Sequence, residues 1–243
     1  VADLYLKSVE LLRDKIPSTV DYPFHLPAIR SLNKLHFTHK VTFFVGENGS
    51  GKSTLLEALA YQSGFHTAGG GRHNNYQVHA SESALAPHIR LGWMPKITNG
   101  FFLRAESFYH FASHIDEVDS GGFRRYGGRS LHQQSHGESF LNLFLHRFNE
   151  KGIYLLDEPE AALSPTRQLS LLRIIRDLSG HSQFIIATHS PILLGYPGAQ
   201  ILSFDGSSIR EIAYEETEHY YVTRQFLTNR EPLLDELFRD DED

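Results

Sequence analysis

The stretch VTFFVGENGSGKSTLLEALAY, Val41–Tyr61, decides the fold. It opens on Val41–Val45, a β-branched and aromatic run that reads as a buried strand. It closes on Ser53–Tyr61, where Leu55, Leu56 and Leu59 share one helical face. Between them Gly46-Glu47-Asn48-Gly49-Ser50-Gly51-Lys52-Ser53 matches G-x-x-x-x-G-K-[ST] at the point where strand gives way to helix. Glycines let such a backbone wrap closely around anionic oxygens, and the helix N-terminus aims N–H groups at them. Lys52 adds a mobile cation, and Ser53 places a hydroxyl where Mg²⁺ would accompany a phosphate. The predicted phosphate site runs from Gly46 through Thr54.

Working outward, apolar runs at Ile153–Leu156, Phe184–Ala187 and Ile201–Phe204 read as further strands. Pro165–Leu178 reads as a helix with Leu169, Leu172 and Ile175 on its inner face, Ser164 at the N-cap and Pro165 at the first position. Strands alternating with helices imply an α/β fold, a mostly parallel central sheet flanked by helices. Asp205-Gly206 predicts a hairpin turn into Ile209–Ile212, while residues 3–16 suit a strand or a helix. Two glycine-rich stretches, Gly64–Ser81 and Asp119–Gly128, bracket a middle lobe. The expected organisation is one domain over 1–243: a core from 1–63 and 151–230, an inserted helical lobe at 64–150, and a tail at 231–243.

Charge sharpens that division. The chain of 243 residues has 23 Lys+Arg and 29 Asp+Glu, a net charge of -6. Residues 231–243 hold seven acids and one Arg, so residues 1–230 are neutral. A neutral body argues against electrostatic coating of nucleic acid as its main work. The absence of Cys excludes disulfides, thiolate catalysis and Cys-zinc sites. No apolar run approaches the roughly 18 residues of a membrane span, and Val1–Lys15 lacks a signal-peptide pattern. A soluble, cytoplasmic protein without membrane insertion is expected.

A second chemical motif stands at Ile153-Tyr154-Leu155-Leu156-Asp157-Glu158-Pro159-Glu160. An apolar strand ending in Asp157 delivers a carboxylate to the C-terminal sheet edge, beside the phosphate loop, where it can hold Mg²⁺. Glu158, one residue on, points elsewhere and is suited to polarise a water attacking a γ-phosphate. Two further segments complete an order: Ser135-His136-Gly137-Glu138-Ser139, and Ala187-Thr188-His189-Ser190-Pro191 after a predicted strand.

Together these four motifs, from about Val41 to Phe204, resemble the P-loop NTPase cassette of the ABC superfamily, and more narrowly its soluble stand-alone, AAA-labelled members related to SMC-like ATPases. The resemblance implies ATP and Mg²⁺ as ligands and an ATP-sandwiched homodimer. Ser135, His136, Gly137 and Glu138 would cap the γ-phosphate held by the partner subunit, and His189 would contact that phosphate and the attacking water. Ser135 and Glu138 also fit a capping box at the start of a helix, and both roles use the same N–H groups. With Lys52 and Glu158, His189 makes the expected catalytic set; Ser53, Asp157 and Glu106 make the metal set, Glu106 standing where the family carries Gln.

The chain departs from the family at Glu106, at Ser164 in place of Asp, and at His136 and Glu138 within the signature. Tyr22 and Phe24 fit either adenine stacking or the core. His110 and His114, four apart, lack a third ligand and read as surface or packing residues. The resemblance implies an ATP hydrolase that passes a conformational change to a partner through the inserted lobe or the acidic tail, where Leu233, Leu234, Leu237 and Phe238 form an apolar face. The alternatives are the ATP-binding subunit of a membrane transporter and a DNA-linked SMC-type switch using Arg124, Arg125 and Arg129. No long heptad segment supplies coiled-coil arms.

Overall fold

The structure, a computed structural model, describes residues 4–65, 83–105, 141 and 151–239. Its main sheet has six strands in the order β5-β6-β7-β3-β8-β9. These are β5 (Gly100–Arg104), β6 (Ile153–Asp157), β7 (Gln183–Ala187), β3 (Val41–Val45), β8 (Gln200–Ser203) and β9 (Arg210–Glu211). All pairings are parallel except β8 with β9, the predicted hairpin. Every residue of β3, β6, β7 and β8 is buried, as parallel strands must be when helices or a second sheet cover both faces.

Alternation along β3 explains the two cores. Val41, Phe43 and Val45 join Tyr154, Leu156, Phe184 and Ile186 on the face covered by α3 (Pro165–Leu178) and α4 (Pro191–Leu194). Phe44, Leu155, Ile185 and Leu202 point the other way, onto α2 (Lys52–Ser63) and a smaller sheet. That sheet is antiparallel, in the order β2-β1-β4: β2 (Lys34–His36), β1 (Leu6–Leu11) and β4 (Ile89–Trp93). Within the ambiguous N-terminal stretch, Leu6–Leu11 is therefore strand and Arg13–Lys15 a single 3-10 turn. Gln183, fully buried, fastens the two sheets: its Oε1 accepts from the N–H of Tyr5 and Leu6 (3.1 and 2.9 Å), and its Nε2 donates to Leu6 O (2.9 Å). Both β4 and β5 fall within the 64–150 stretch and belong to these sheets.

One expected face is right only in part. Helix α3 buries Gln168, Leu171, Ile174 and Ile175, and Leu172 packs against the same core, whereas Leu169 is 58% exposed. The cause is Gln168, whose Nε2 donates to Leu163 O (3.1 Å) and whose Oε1 accepts from Ser190 Oγ (2.5 Å). A polar residue satisfied this way can be buried, and Gln168 takes the core position that the apolar spacing assigns to its neighbour Leu169.

A short helix α1 (Pro27–Ser31) packs under the phosphate loop, its Ile29 lying near Gly51. At the C-terminal end follow α5 (Glu218–Thr228) and α6 (Arg230–Leu237), where Leu227, Leu237 and, just past the helix end, Phe238 are exposed. Among the described residues no helix is long and apolar enough to cross a membrane.

Candidate functional site

Sheet register gathers the site. Arg104 pairs with Asp157, Asp157 with Ala187, and Ala187 with Phe44, so β5, β6 and β7 end on one row and β3 one residue beyond it. Beyond that row the chain gives, in turn, the 46–51 loop, Glu158 and His189. Residues about 100 positions apart in sequence are thus delivered to one edge, as open α/β sheets deliver ligand sites.

Glycine is required in the loop. Gly46, Gly49 and Gly51 have φ of 139°, 79° and 106°, values that L side chains adopt only with strain. At Gly46 a Cβ would also stand 2.8 Å from Asp205 Oδ1. Asp205, in the predicted hairpin turn, braces the loop by accepting from the Glu47 N–H (2.8 Å). Lys52 is nearly buried and folds back on the loop, donating to Gly46 O (2.6 Å) and Glu47 O (2.8 Å). Burial lowers its pKa, while Glu158, Asp205 and Asp157 pull it back up.

Ser53 donates to Asp157 Oδ1 at 2.9 Å, joining the two predicted motifs directly. The other oxygen of Asp157 accepts from Arg104 Nε (3.0 Å), and Arg104 also reaches Glu57 Oε2 (3.1 Å). Burial raises the Asp157 carboxyl above the usual value, opposed by Arg104 and Ser53. These groups, with Tyr22, Thr54, Glu158 and Ala161, line a cavity of about 620 Å³. Tyr22 is exposed at its rim, with its hydroxyl 2.8 Å from Thr54 Oγ1. Phe24 is buried edge-on against His88 and belongs to the core.

Glu158 is the one described non-glycine residue with positive φ, at 50°. This strained turn is held by its N–H on Ala187 O (2.9 Å) and by the Ala161 N–H on its own carbonyl (3.0 Å). It leaves the Glu158 side chain 45% exposed, with Oε1 3.7 Å from His189 Nε2. Glu160 then turns inward and clamps the neighbouring strand end, accepting from the His189 N–H (2.6 Å) and Thr188 Oγ1 (2.7 Å). Burial raises its pKa against those bonds. On its other side, His189 Nδ1 lies 2.8 Å from Nε2 of His219.

Two buried polar atoms in this site, Ser50 Oγ and His189 Nε2, have no hydrogen-bond partner. Buried polar groups are nearly always paired, so such orphans ask for a ligand.

The structure brings Lys52, Ser53, Thr54, Asp157, Glu158 and His189 to one sheet edge. Glu106, Ser135, His136, Gly137, Glu138, His110, His114, Arg124, Arg125 and Arg129 lie outside the described residues. Sequence reasoning missed Arg104, Glu57, Glu160 and His219. The signal for Glu160 was present in the Asp-Glu-Pro-Glu spacing; Arg104 and His219 carried none, since each acts through a contact distant in sequence.

A family model described as "AAA domain, putative AbiEii toxin, Type IV TA system" matches residues 124–195, and an "AAA domain" model matches 25–92. No curated protein matches the chain in sequence. Among solved structures, an SMC head bound to the C-winged helix domain of ScpA is 13% identical with a TM-score of 0.54, covering 88% of this chain and 99% of that one. An ATP-binding cassette of an ABC transporter is 16% identical with a TM-score of 0.50, covering 97% and 99%. The SMC head domain from Thermotoga maritima is 16% identical with a TM-score of 0.49, covering 86% and 99%.

Proposed function

We propose that this chain, which has the P-loop fold shared by ABC ATPase cassettes and SMC heads, binds ATP with Mg²⁺ and hydrolyses its β–γ anhydride. The observation that carries this reading is the meeting of Ser53 Oγ and Asp157 Oδ1 at 2.9 Å beside a loop built on left-handed glycines. The orphaned Ser50 Oγ and His189 Nε2 support it.

Ser53 and Asp157 are hard oxygen donors of the kind Mg²⁺ uses alongside phosphate oxygens, and the ion when bound neutralises phosphate charge. The loop N–H groups and the start of α2 receive the phosphate oxygens. Lys52 exchanges its hold on the Gly46 and Glu47 carbonyls for the β/γ-phosphates. Glu158, half-exposed at the cavity, orients the attacking water and takes up its proton. His189 offers its free Nε2 edge to the transferring phosphoryl group. Ser135, His136, Gly137 and Glu138 of a second copy close the site, so the working unit is a homodimer, and Glu106 joins the metal set.

Within this reading the stretch between β5 and β6 carries the signature, and the cytoplasm is the setting. An SMC head binds a winged-helix protein domain; with exposed Leu227, Leu237 and Phe238 on α5 and at the end of α6, this favours a protein partner over a membrane one.

Glu158→Gln tests the reading. ATP binding should persist, turnover should fall at least about hundredfold, and dimer should accumulate in light scattering with Mg-ATP. Unchanged turnover removes Glu158 from its role; failure of the wild-type chain to bind ATP removes the function.

A further inference from the structure

We propose that His219 is a positioning residue for His189: its Nε2–H donates to His189 Nδ1 and so keeps the proton of His189 on Nε2, the edge that faces Glu158. Its consequence for turnover rests on the ATPase reading above, whereas the tautomer itself is a property of the free chain.

The geometry of the two rings leaves a single donor between them. His189 Nδ1 and His219 Nε2 are 2.8 Å apart, a full hydrogen bond, with ring centroids at 4.9 Å. Two neutral imidazoles can share that contact in either direction, and the direction fixes where the His189 proton sits. The far side of the ring decides between them. His189 Nε2 is buried, has no hydrogen-bond partner, and stands 3.7 Å from Glu158 Oε1. A bare lone pair there would face a carboxylate, acceptor against acceptor; an N–H there is attracted to it. Nδ1 is therefore the acceptor and His219 the donor. Burial, Lys52 and the facing imidazole all hold the His189 pKa below its ordinary value, which keeps the pair neutral and this arrangement populated.

The backbone around His219 is moored as a positioning role requires. His219 lies in the first turn of α5, capped by Thr217, whose Oγ1 accepts from the Tyr220 N–H (3.4 Å). Tyr220 packs on Tyr214 with ring centroids 4.5 Å apart, and the Tyr214 hydroxyl donates to Pro191 O (2.8 Å). Pro191 opens α4, directly after His189-Ser190, and the Ser190 side chain accepts from the N–H of Ile192 and Leu193. Helix α5 and the His189 segment are thus tied at two points, so a displacement of α5 changes the donor offered to His189.

The experiment compares two side chains of equal size at position 219. His219→Gln offers an amide N–H donor; His219→Glu offers only acceptor oxygens. The full chain, labelled with ¹⁵N-histidine and free of nucleotide, is read by long-range ¹H–¹⁵N spectra at pH 8, the His189 signals being assigned by their loss in His189→Asn. Wild type and His219→Gln should show protonated Nε2 and unprotonated Nδ1, and His219→Glu should move the proton to Nδ1. In turnover, His219→Gln should stay within about threefold of wild type, and His219→Glu should lose roughly tenfold or more in kcat at unchanged KM. A wild-type His189 protonated on Nδ1, or identical spectra for the Gln and Glu variants, overturns the assignment. The wild-type spectrum decides the matter even where a variant does not fold. A chain without ATPase activity that shows the predicted spectra would refute the ATPase reading and leave the pair intact.

Discussion

Removing Arg104 should destabilise the ligand-free protein, and a cation at the same place should restore it. The Asp157 side chain is 4% exposed and Arg104 24%, and the ion pair between them is 3.0 Å long. Breaking a buried pair by deleting one partner costs about 3–5 kcal/mol, because the remaining charge is stranded in a low-dielectric place. Arg104 retains some contact with water, and Ser53 still donates to Asp157 in the variant. Arg104→Ala should therefore sit near the lower end, about 3 kcal/mol, or roughly 6–12 °C in Tm for a chain of this size. Urea denaturation supplies the measurement. The same change made in an Asp157→Asn background should cost much less, since a neutral amide needs no counter-charge, and the difference between the two backgrounds isolates the pair. In Mg²⁺ with a non-hydrolysable ATP analogue, the deficit should shrink. A loss below about 1 kcal/mol, or an equal loss in both backgrounds, would refute the claim that Arg104 serves as the apo counter-ion of Asp157.

Gly46→Ala and Gly49→Ala both place a side chain at positive φ and should each cost about 1–2 kcal/mol. Only the former meets Asp205 Oδ1 at 2.8 Å, so Gly46→Ala should lose more stability and more ATP affinity; equal effects in denaturation and titration calorimetry would count against the brace. Glu160→Ala removes two charge-assisted bonds, worth together about 3 kcal/mol at least, and should lower kcat more than it weakens binding; an unaltered kcat would separate the clamp from the site. Both imidazoles of the His189–His219 pair are depressed below 6.5, so the unfolded chain takes up their protons first. Stability from the pair is fully present above pH 6.5 and is lost as pH falls from there through the folded values. Urea midpoints of wild type against the His189→Asn/His219→Asn double variant should converge at acid pH, and parallel curves would argue against a half-buried neutral pair.

The strands were legible because a parallel sheet covered on both faces demands continuous apolar runs, and Val41–Val45 and Ile153–Asp157 are such runs. The loop was legible because its glycines occupy conformations other residues avoid. The face of α3 was legible only in part, since Gln168 reads as polar until its partners at Leu163 and Ser190 are known. The small sheet was hidden: β1 and β4 pair across some eighty residues, and Gln183, which fastens β1 to the main sheet, has the composition of a surface residue. Arg104 was not legible either, since it ends a strand and has no charge partner nearby in sequence; only the register with Asp157 reveals one.

Three acids of one short segment come to three separate environments, and the backbone explains why. Asp157 still obeys the strand, so its side chain enters the row shared with Arg104 and Ala187 and meets Ser53. Glu158 breaks from the strand at positive φ, which turns its carboxylate into the cavity instead of the sheet. Glu160, one step past Pro159 in a tight turn, comes back under the end of β7 and holds Thr188 and His189. A rigid turn of four residues thus ties the Ser53 side, the water-facing carboxylate and the histidine to one another. His189 in turn is bound to His219 on α5. A change that nucleotide makes at the β6 end thus has a route to α5 through Glu160, the Thr188–His189 backbone and the imidazole pair, beside the tie between Tyr214 and Pro191. That route predicts that Glu160→Ala and His219→Glu disturb the same His189 signals, although their side chains approach it from opposite sides.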